Sequence, residues 1–174
     1  MKNIVFALAL AVSFLFFSCS NEESDATNGI LDLTIVNDTY HYPVTEFVYD
    51  NSSTLIEGRS GTDGIQIRFE GKAVKKYTLG LCSTADSIGI CMDNAETVSN
   101  TVSYKDPSDN RQYSVVCGTL TIRDYTSENV EGVFTAKALD EETKRDLYSG
   151  TVNPEDVMPL LKEVSAQFTA VRKK

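Results

Sequence analysis

Tryptophan is absent from these 174 residues, and histidine occurs once, at His41. A Ser-His-Asp or Cys-His catalytic set therefore has a single candidate base. His41 lies between Tyr40 and Tyr42, ahead of Pro43, a context that reads as a solvated ring at a strand edge. The GxSxG, GxxxxGKS and HExxH motifs and the Rossmann glycine pattern are missing too, so the chain reads as non-enzymatic and without a cofactor. Positive charge is scarce: 16 Lys and Arg stand against 25 Asp and Glu, a formal net charge of −9. Such a surface repels phosphate backbones and anionic headgroups alike, which argues against a nucleic-acid partner. No apolar run reaches the roughly 20 residues that span a bilayer as a helix.

The longest apolar run, Ile4 to Phe17, follows a short basic start and ends at Ser18-Cys19. That order reads as a bacterial lipoprotein signal peptide over residues 1–18, removed to leave Cys19 lipidated. Acyl chains on Cys19 then supply the membrane anchor, without help from a basic amphipathic segment. Residues 19–29 read as a polar, acidic tether that cannot form a core. Its Glu22, Glu23 and Asp25 resemble the surface-export signal of Bacteroidota-type lipoproteins. The resemblance implies an outer-membrane location, with cell-surface display favoured over a periplasm-facing one.

Residues 30–174 read as one domain. Apolar and polar residues alternate in short runs between turn signals: Leu31, Leu33 and Ile35; Ile65, Ile67 and Phe69; Tyr77, Leu79 and Leu81; Ile88, Ile90 and Met92; Phe134, Ala136 and Ala138. This is a strand rhythm. Gln112 to Arg123 is apolar on both faces and so predicts a central strand. The spacing predicts an all-β fold of roughly eight to ten strands, an antiparallel sandwich or, alternatively, an up-and-down barrel. In the tail, Val157, Leu160, Leu161, Val164, Phe168 and Val171 match helical spacing behind Asn153-Pro154, predicting a short C-terminal helical segment over 154–172. Pro159 interrupts it, and a terminal strand from Val164 to Arg172 competes.

With Cys19 assigned to lipid, Cys82, Cys91 and Cys117 remain for an oxidising compartment. A hairpin with Asp86-Ser87 at its tip sets Cys82 opposite Cys91 at disulfide distance. Cys117 is then a buried thiol, while pairings of Cys117 with either of the others stay open. Asp106, Ser108 and Asn110 carry alternating oxygens like the start of a calcium loop, but lack its glycine and distal glutamate, so a capped turn is expected. Asp140, Glu141, Glu142 and Asp146 read as an exposed polar loop. The aromatic set Tyr40, Tyr42, Phe47 and Tyr49 is the candidate binding surface, weighed against simple core filling. Asp86-Ser87-Ile88 resembles a Bacteroidota O-glycosylation acceptor, implying modification at Ser87.

The run Gly118-Thr119-Leu120-Thr121-Ile122-Arg123-Asp124-Tyr125, then Gly132-Val133-Phe134-Thr135-Ala136 and Ser149-Gly150-Thr151-Val152, resembles a family of small Bacteroidota lipoproteins of unknown function. The resemblance spans about Asn28 to Val152, implies an all-β domain and brings no catalytic residues. The expectation is a lipid-anchored envelope domain that binds an unknown protein or glycan. An envelope immunity or inhibitor lipoprotein is the first alternative, and a carboxylate-dependent glycan hydrolase the second.

Overall fold

A computed structural model describes residues 28–82 and 99–174. Nine strands are present there: β1 (Gly29–Ile35), β2 (Asp38–Asp50), β3 (Ser53–Ser60), β4 (Asp63–Glu70), β5 (Lys76–Gly80), β6 (Thr101–Lys105), β7 (Gln112–Tyr125), β8 (Asn129–Asp140) and β9 (Lys162–Arg172). The helices α1 (Glu141–Tyr148) and α2 (Pro154–Val157) and a 3-10 turn at Met158–Leu160 separate β8 from β9.

Eight strands, in the order β7-β6-β4-β3-β2-β1-β9-β8, close into a barrel because β8 pairs back onto β7. All these ladders are antiparallel, and apart from the skipped β5 and the closing β1–β9 pair each neighbour in the ring is also the neighbour in sequence. This is the up-and-down barrel, and the sandwich is corrected. Alternation places one face of each strand inside in either fold, so it does not distinguish them. The β1–β9 ladder does, by returning the last strand to the first.

β5 and β6 lie end to end along one edge of β7, β5 opposite Cys117 to Thr121 and β6 opposite Gln112 to Ser114. Asn100 fastens the junction: its amide donates to Thr78 O, and its carbonyl accepts from the Glu70 backbone, both at 3.0 Å. The strand expected around Ile88, Ile90 and Met92 falls outside the described residues.

Leu31, Leu33, Ile67, Phe69, Leu120 and Phe134 are buried in the barrel interior. Truncating either phenylalanine to alanine costs about 3–5 kcal/mol. A satellite cluster joins Val116, Leu139, Leu147 and Val157, where α1 packs on β7 and β8. This cover explains why β7 is apolar on both faces, as its sequence requires.

Two polar or helical readings change. The acidic stretch after β8 is the helix α1, capped by Asp140, whose carboxylate accepts from Glu142 N and Thr143 N, with Glu141 and Glu142 complementing its N-terminal dipole. The helical part of the tail is short and ends at Leu160. From Lys162 the chain is β9, with Val164, Ala166, Phe168 and Ala170 alternately buried. Val164 and Phe168 satisfy both periods. The barrel needs a strand between β8 and β1, and that tertiary requirement decides.

Candidate binding surface

The most concentrated polar cluster lies at the end of the barrel formed by the β6–β7 turn. Lys162, at the start of β9, reaches across to this turn and places Nζ 2.8 Å from Asp106 and 2.9 Å from Asp109. Its ammonium also sits 4.1 Å from the centre of the Tyr113 ring, whose hydroxyl donates to Asp109 at 2.7 Å. Asp106 is almost fully buried and accepts from both the backbone and hydroxyl of Ser108. The capped-turn reading of residues 106–110 is therefore right, with Asn110 in the left-handed region at φ 61°.

Burial alone pushes the Asp106 and Asp109 carboxyls up, but their bonds to Lys162 prevail, so both stay low and Asp109 falls to about 2. Burial likewise works against the Lys162 charge and is outweighed by Asp106, Tyr113 and Asp109. A lysine held charged in this way is a poor base or nucleophile at neutral pH. The cluster is a latch between the β6–β7 turn and β9.

Beneath the latch, the hydroxyls of Tyr42 and Tyr104 are buried and meet no hydrogen-bond partner among the described residues. Burial, followed by the charges of Asp63 and Asp106, drives Tyr42 up to about 12. Gly58 makes the Tyr42 position possible, since a Cβ there would stand 2.8 Å from Ile65 and 3.4 Å from Tyr42.

The aromatic set does not form one surface. Tyr42 and Phe47 are core residues, Tyr40 packs at the core margin, and Tyr49 faces outward. The register shift between Gly29 and Leu31 in the β1–β2 ladder changes which β2 residues point inward, so simple alternation fails there. His41 is exposed on the outer wall, its Nδ1 2.7 Å from Asp32. On one side it pairs with Asp32 of β1, and on the other the β2–β3 ladder begins only at Val44, so the solvated strand-edge reading fits its place.

Cys19, Cys91 and Ser87 lie outside the described residues. So the expected lipidation, the Cys82–Cys91 bridge and the glycosylated hairpin tip have no geometry to set beside them. Among the described residues no two cysteines stand at disulfide distance. Cys82 and Cys117 are buried neighbours across an isolated parallel bridge, a contact that alternation did not predict. Among those residues, too, no group of three or more His, Cys, Asp or Glu is placed to hold a metal ion.

The outer wall carries a trough of about 330 Å³ across β3, β4, β6 and the start of β7, lined by Arg59, Thr62, Gln66, Ser103, Lys105 and Gln112. Glu57 is the carboxylate in its lining and is occupied by Arg59 at 2.6 Å and Gln66 at 3.1 Å. Thr62, Ser103 and Gln112 have no side-chain hydrogen bonds to other described residues and present their donors and acceptors to the trough. Gly64 leaves the floor at backbone level, where an added Cβ would meet only Gly58 O, at 3.6 Å.

These trough residues were not singled out from sequence. A signal was present in part: the turn at 106–110 implies the pairing of Lys105 with Gln112 and Ser103 with Ser114. The juxtaposition of β3 and β4 with that hairpin needs the barrel. Comparison of the chain with protein-family models, curated proteins and solved structures finds no match.

Proposed function

We propose that this chain is a lipid-anchored domain of the bacterial cell envelope that binds a neutral, polyhydroxylated ligand, an envelope glycan, in the outer trough. The observation that carries this reading is the set of Thr62, Ser103 and Gln112 side chains beside the bare Gly64 floor. Arg59 and Lys105 in the lining are paired with Glu57 and Asp63, and the hydroxyl and amide groups beside them offer both donors and acceptors without charge, which suits sugar hydroxyls. Catalysis is not part of the reading. Lys162 is locked between carboxylates, and the trough's carboxylate is already paired. The Ser18-Cys19 junction supports the anchor, and the acidic tether supports outward display on the outer membrane.

Glycan-array screening of the purified full chain, followed by titration calorimetry, tests the ligand. Gln112→Ala combined with Ser103→Ala is expected to weaken binding about tenfold or more, as two ligand hydrogen bonds are lost. Binding that ignores these substitutions removes the trough, and hydrolysis of the bound glycan overturns the non-catalytic role. Labelling with a clickable fatty acid, with a Cys19→Ala control, tests the anchor, and protease shaving of intact cells tests display.

A further inference from the structure

The two ends of the barrel carry different charge, although the chain as a whole is acidic. The latch end holds Asp106, Asp109, Asp140, Glu141, Glu142, Asp146, Glu155 and Asp156 on its turns and helices, against Arg111, Lys144, Arg145 and Lys162. At the opposite end, the 71–75 turn between β4 and β5 presents Lys72 and Lys75, with Lys76 beside them, all exposed. The end of β9 brings Arg172, Lys173 and Lys174, also exposed, toward the same end, because it runs parallel to the last part of β2; Arg172 donates to Ser127 O at 3.3 Å and Lys173 reaches Glu57 at 3.7 Å. Asp50, Glu70, Asp124 and Glu128 share that end, so the positive surplus is local to these two segments.

The segments are far apart in sequence but adjoin in space. Lys72 Nζ lies 3.8 Å over the Tyr49 ring. The Tyr125 hydroxyl, pushed up by burial and eased by its bond to Thr54, also feels both Tyr49 and Arg172. Two apolar side chains stand out among these cations: Val74 is 58% exposed and Tyr49 is 42% exposed. This is also the half of the barrel from which the preceding chain leaves. β1 begins at Gly29, wedged between β2 and β9 so closely that a Cβ would fall 2.3 Å from both Thr45 O and Thr169 O.

We infer that the 71–76 segment and the C-terminal cations seat this end of the barrel on an anionic lipid surface, with ammonium groups at headgroup phosphates and Val74 in the interface. This rests on the anchored reading above, which supplies the leaflet. Lysines near an anionic leaflet are attracted, and an apolar tip with an aromatic neighbour gains at the interface. The geometry then turns the Thr62, Lys105 and Gln112 end of the trough away from the bilayer, while Lys173, 3.7 Å from Glu57, marks the trough's other margin.

Because the chain contains no tryptophan, a single introduced one reports its own position. Full-length chains carrying Val74→Trp, or Val36→Trp at the opposite β1–β2 tip, are mixed with phosphatidylcholine vesicles, with or without phosphatidylglycerol, in brominated and unbrominated forms. The expected result is quenching and a blue shift for V74W only when phosphatidylglycerol is present, and neither for V36W. In the full chain with Cys19→Ala, replacing Lys72, Lys75 and Lys76 by glutamine is expected to lower affinity for the anionic vesicles about 100-fold at low salt. No quenching of V74W on anionic vesicles, or equal quenching of V36W, overturns the proposal. Co-sedimentation of the acylated chain with phosphatidylcholine alone reads the anchor separately, so its failure removes the anchored reading while the quenching result still decides the orientation.

Discussion

Replacing Lys162 by methionine keeps most of the apolar stem of the side chain and deletes the ammonium that faces Asp106 and Asp109. Breaking a fully buried ion pair costs about 3–5 kcal/mol. Here the lysine side chain is 28% exposed and Ser108 still donates twice to Asp106. Solvent screening and those remaining bonds reduce the expected loss to about 2–3 kcal/mol at neutral pH. For a domain of this size that is a fall in Tm of about 4–12 °C.

The pH dependence gives the sharper test. Asp109 drops from the usual 3.8 to about 2 in the folded protein, and Asp106 is lowered as well. Carboxylates with depressed folded values stabilise fully above their unfolded values and lose that stabilisation as pH falls through the folded ones. The gap between wild type and K162M, measured by urea unfolding, is therefore expected to be widest near neutrality and to close on acidification toward about pH 2. Asp106→Asn added to K162M removes the charge left without its partner and should recover about 1 kcal/mol or more. A loss below about 0.5 kcal/mol for K162M, or a gap that stays constant on acidification, refutes the latch.

Other substitutions probe separate parts of the wall and core. Asn100→Ala removes both amide bonds that join β4 to β5, and an expected loss of about 1–3 kcal/mol is readable in the same unfolding assay, with faster hydrogen exchange at Glu70 N. Tyr42→Phe and Tyr104→Phe delete buried hydroxyls that have no partner among the described residues, so each should leave stability unchanged or raise it by up to about 1 kcal/mol, and a loss beyond about 2 kcal/mol would show an unrecognised partner. Val36 is a β-branched residue at φ 57° on the β1–β2 tip and is 58% exposed, so Val36→Gly should raise stability by about 1 kcal/mol in thermal melts. Gly29→Ala forces a Cβ against two backbone oxygens and is expected to displace or destabilise the start of β1 by more than about 2 kcal/mol.

Much of the strand content was legible because a half-buried strand records its inner face every second residue. Ile65, Ile67 and Phe69 illustrate it: each side chain points into the core, while Gln66, Arg68 and Glu70 stay outside. Where a bulge intervenes the record breaks. The aromatic residues of β2 stand on the two sides of the irregularity near Pro43, and Tyr42 and Phe47, five residues apart, both point inward because of it. The tail stayed open between helix and strand for a different reason. Val164 and Phe168 are four residues apart, which satisfies both a helical turn and a strand face, and only the vacancy between β8 and β1 selects the strand. The latch was half legible: Asp106 and Ser108 cap their own turn locally, but Lys162 lies 56 residues away, and no local pattern marks it.

Closure itself turns scattered residues into surfaces. In an open sandwich, β1 and β9 would be free to lie in different sheets, and the basic end of β9 would have no fixed relation to the 71–75 turn. In the barrel, the β1–β9 ladder and the short parallel contact of β9 with β2 force Arg172 and Lys173 beside the end of β2, where Tyr49 meets Lys72. The same ring brings β3 and β4 against the β6–β7 hairpin, so that Gln66, Ser103 and Gln112 share one wall. Register thus sets the cationic end and the Ser103 and Gln112 side of the trough at different places along the barrel, with Lys173 and Glu57 meeting between them, and a one-residue slip in any of these strands would turn its outward side chains into the core. Surface function in this fold therefore depends on ladders whose own residues are buried and chemically silent.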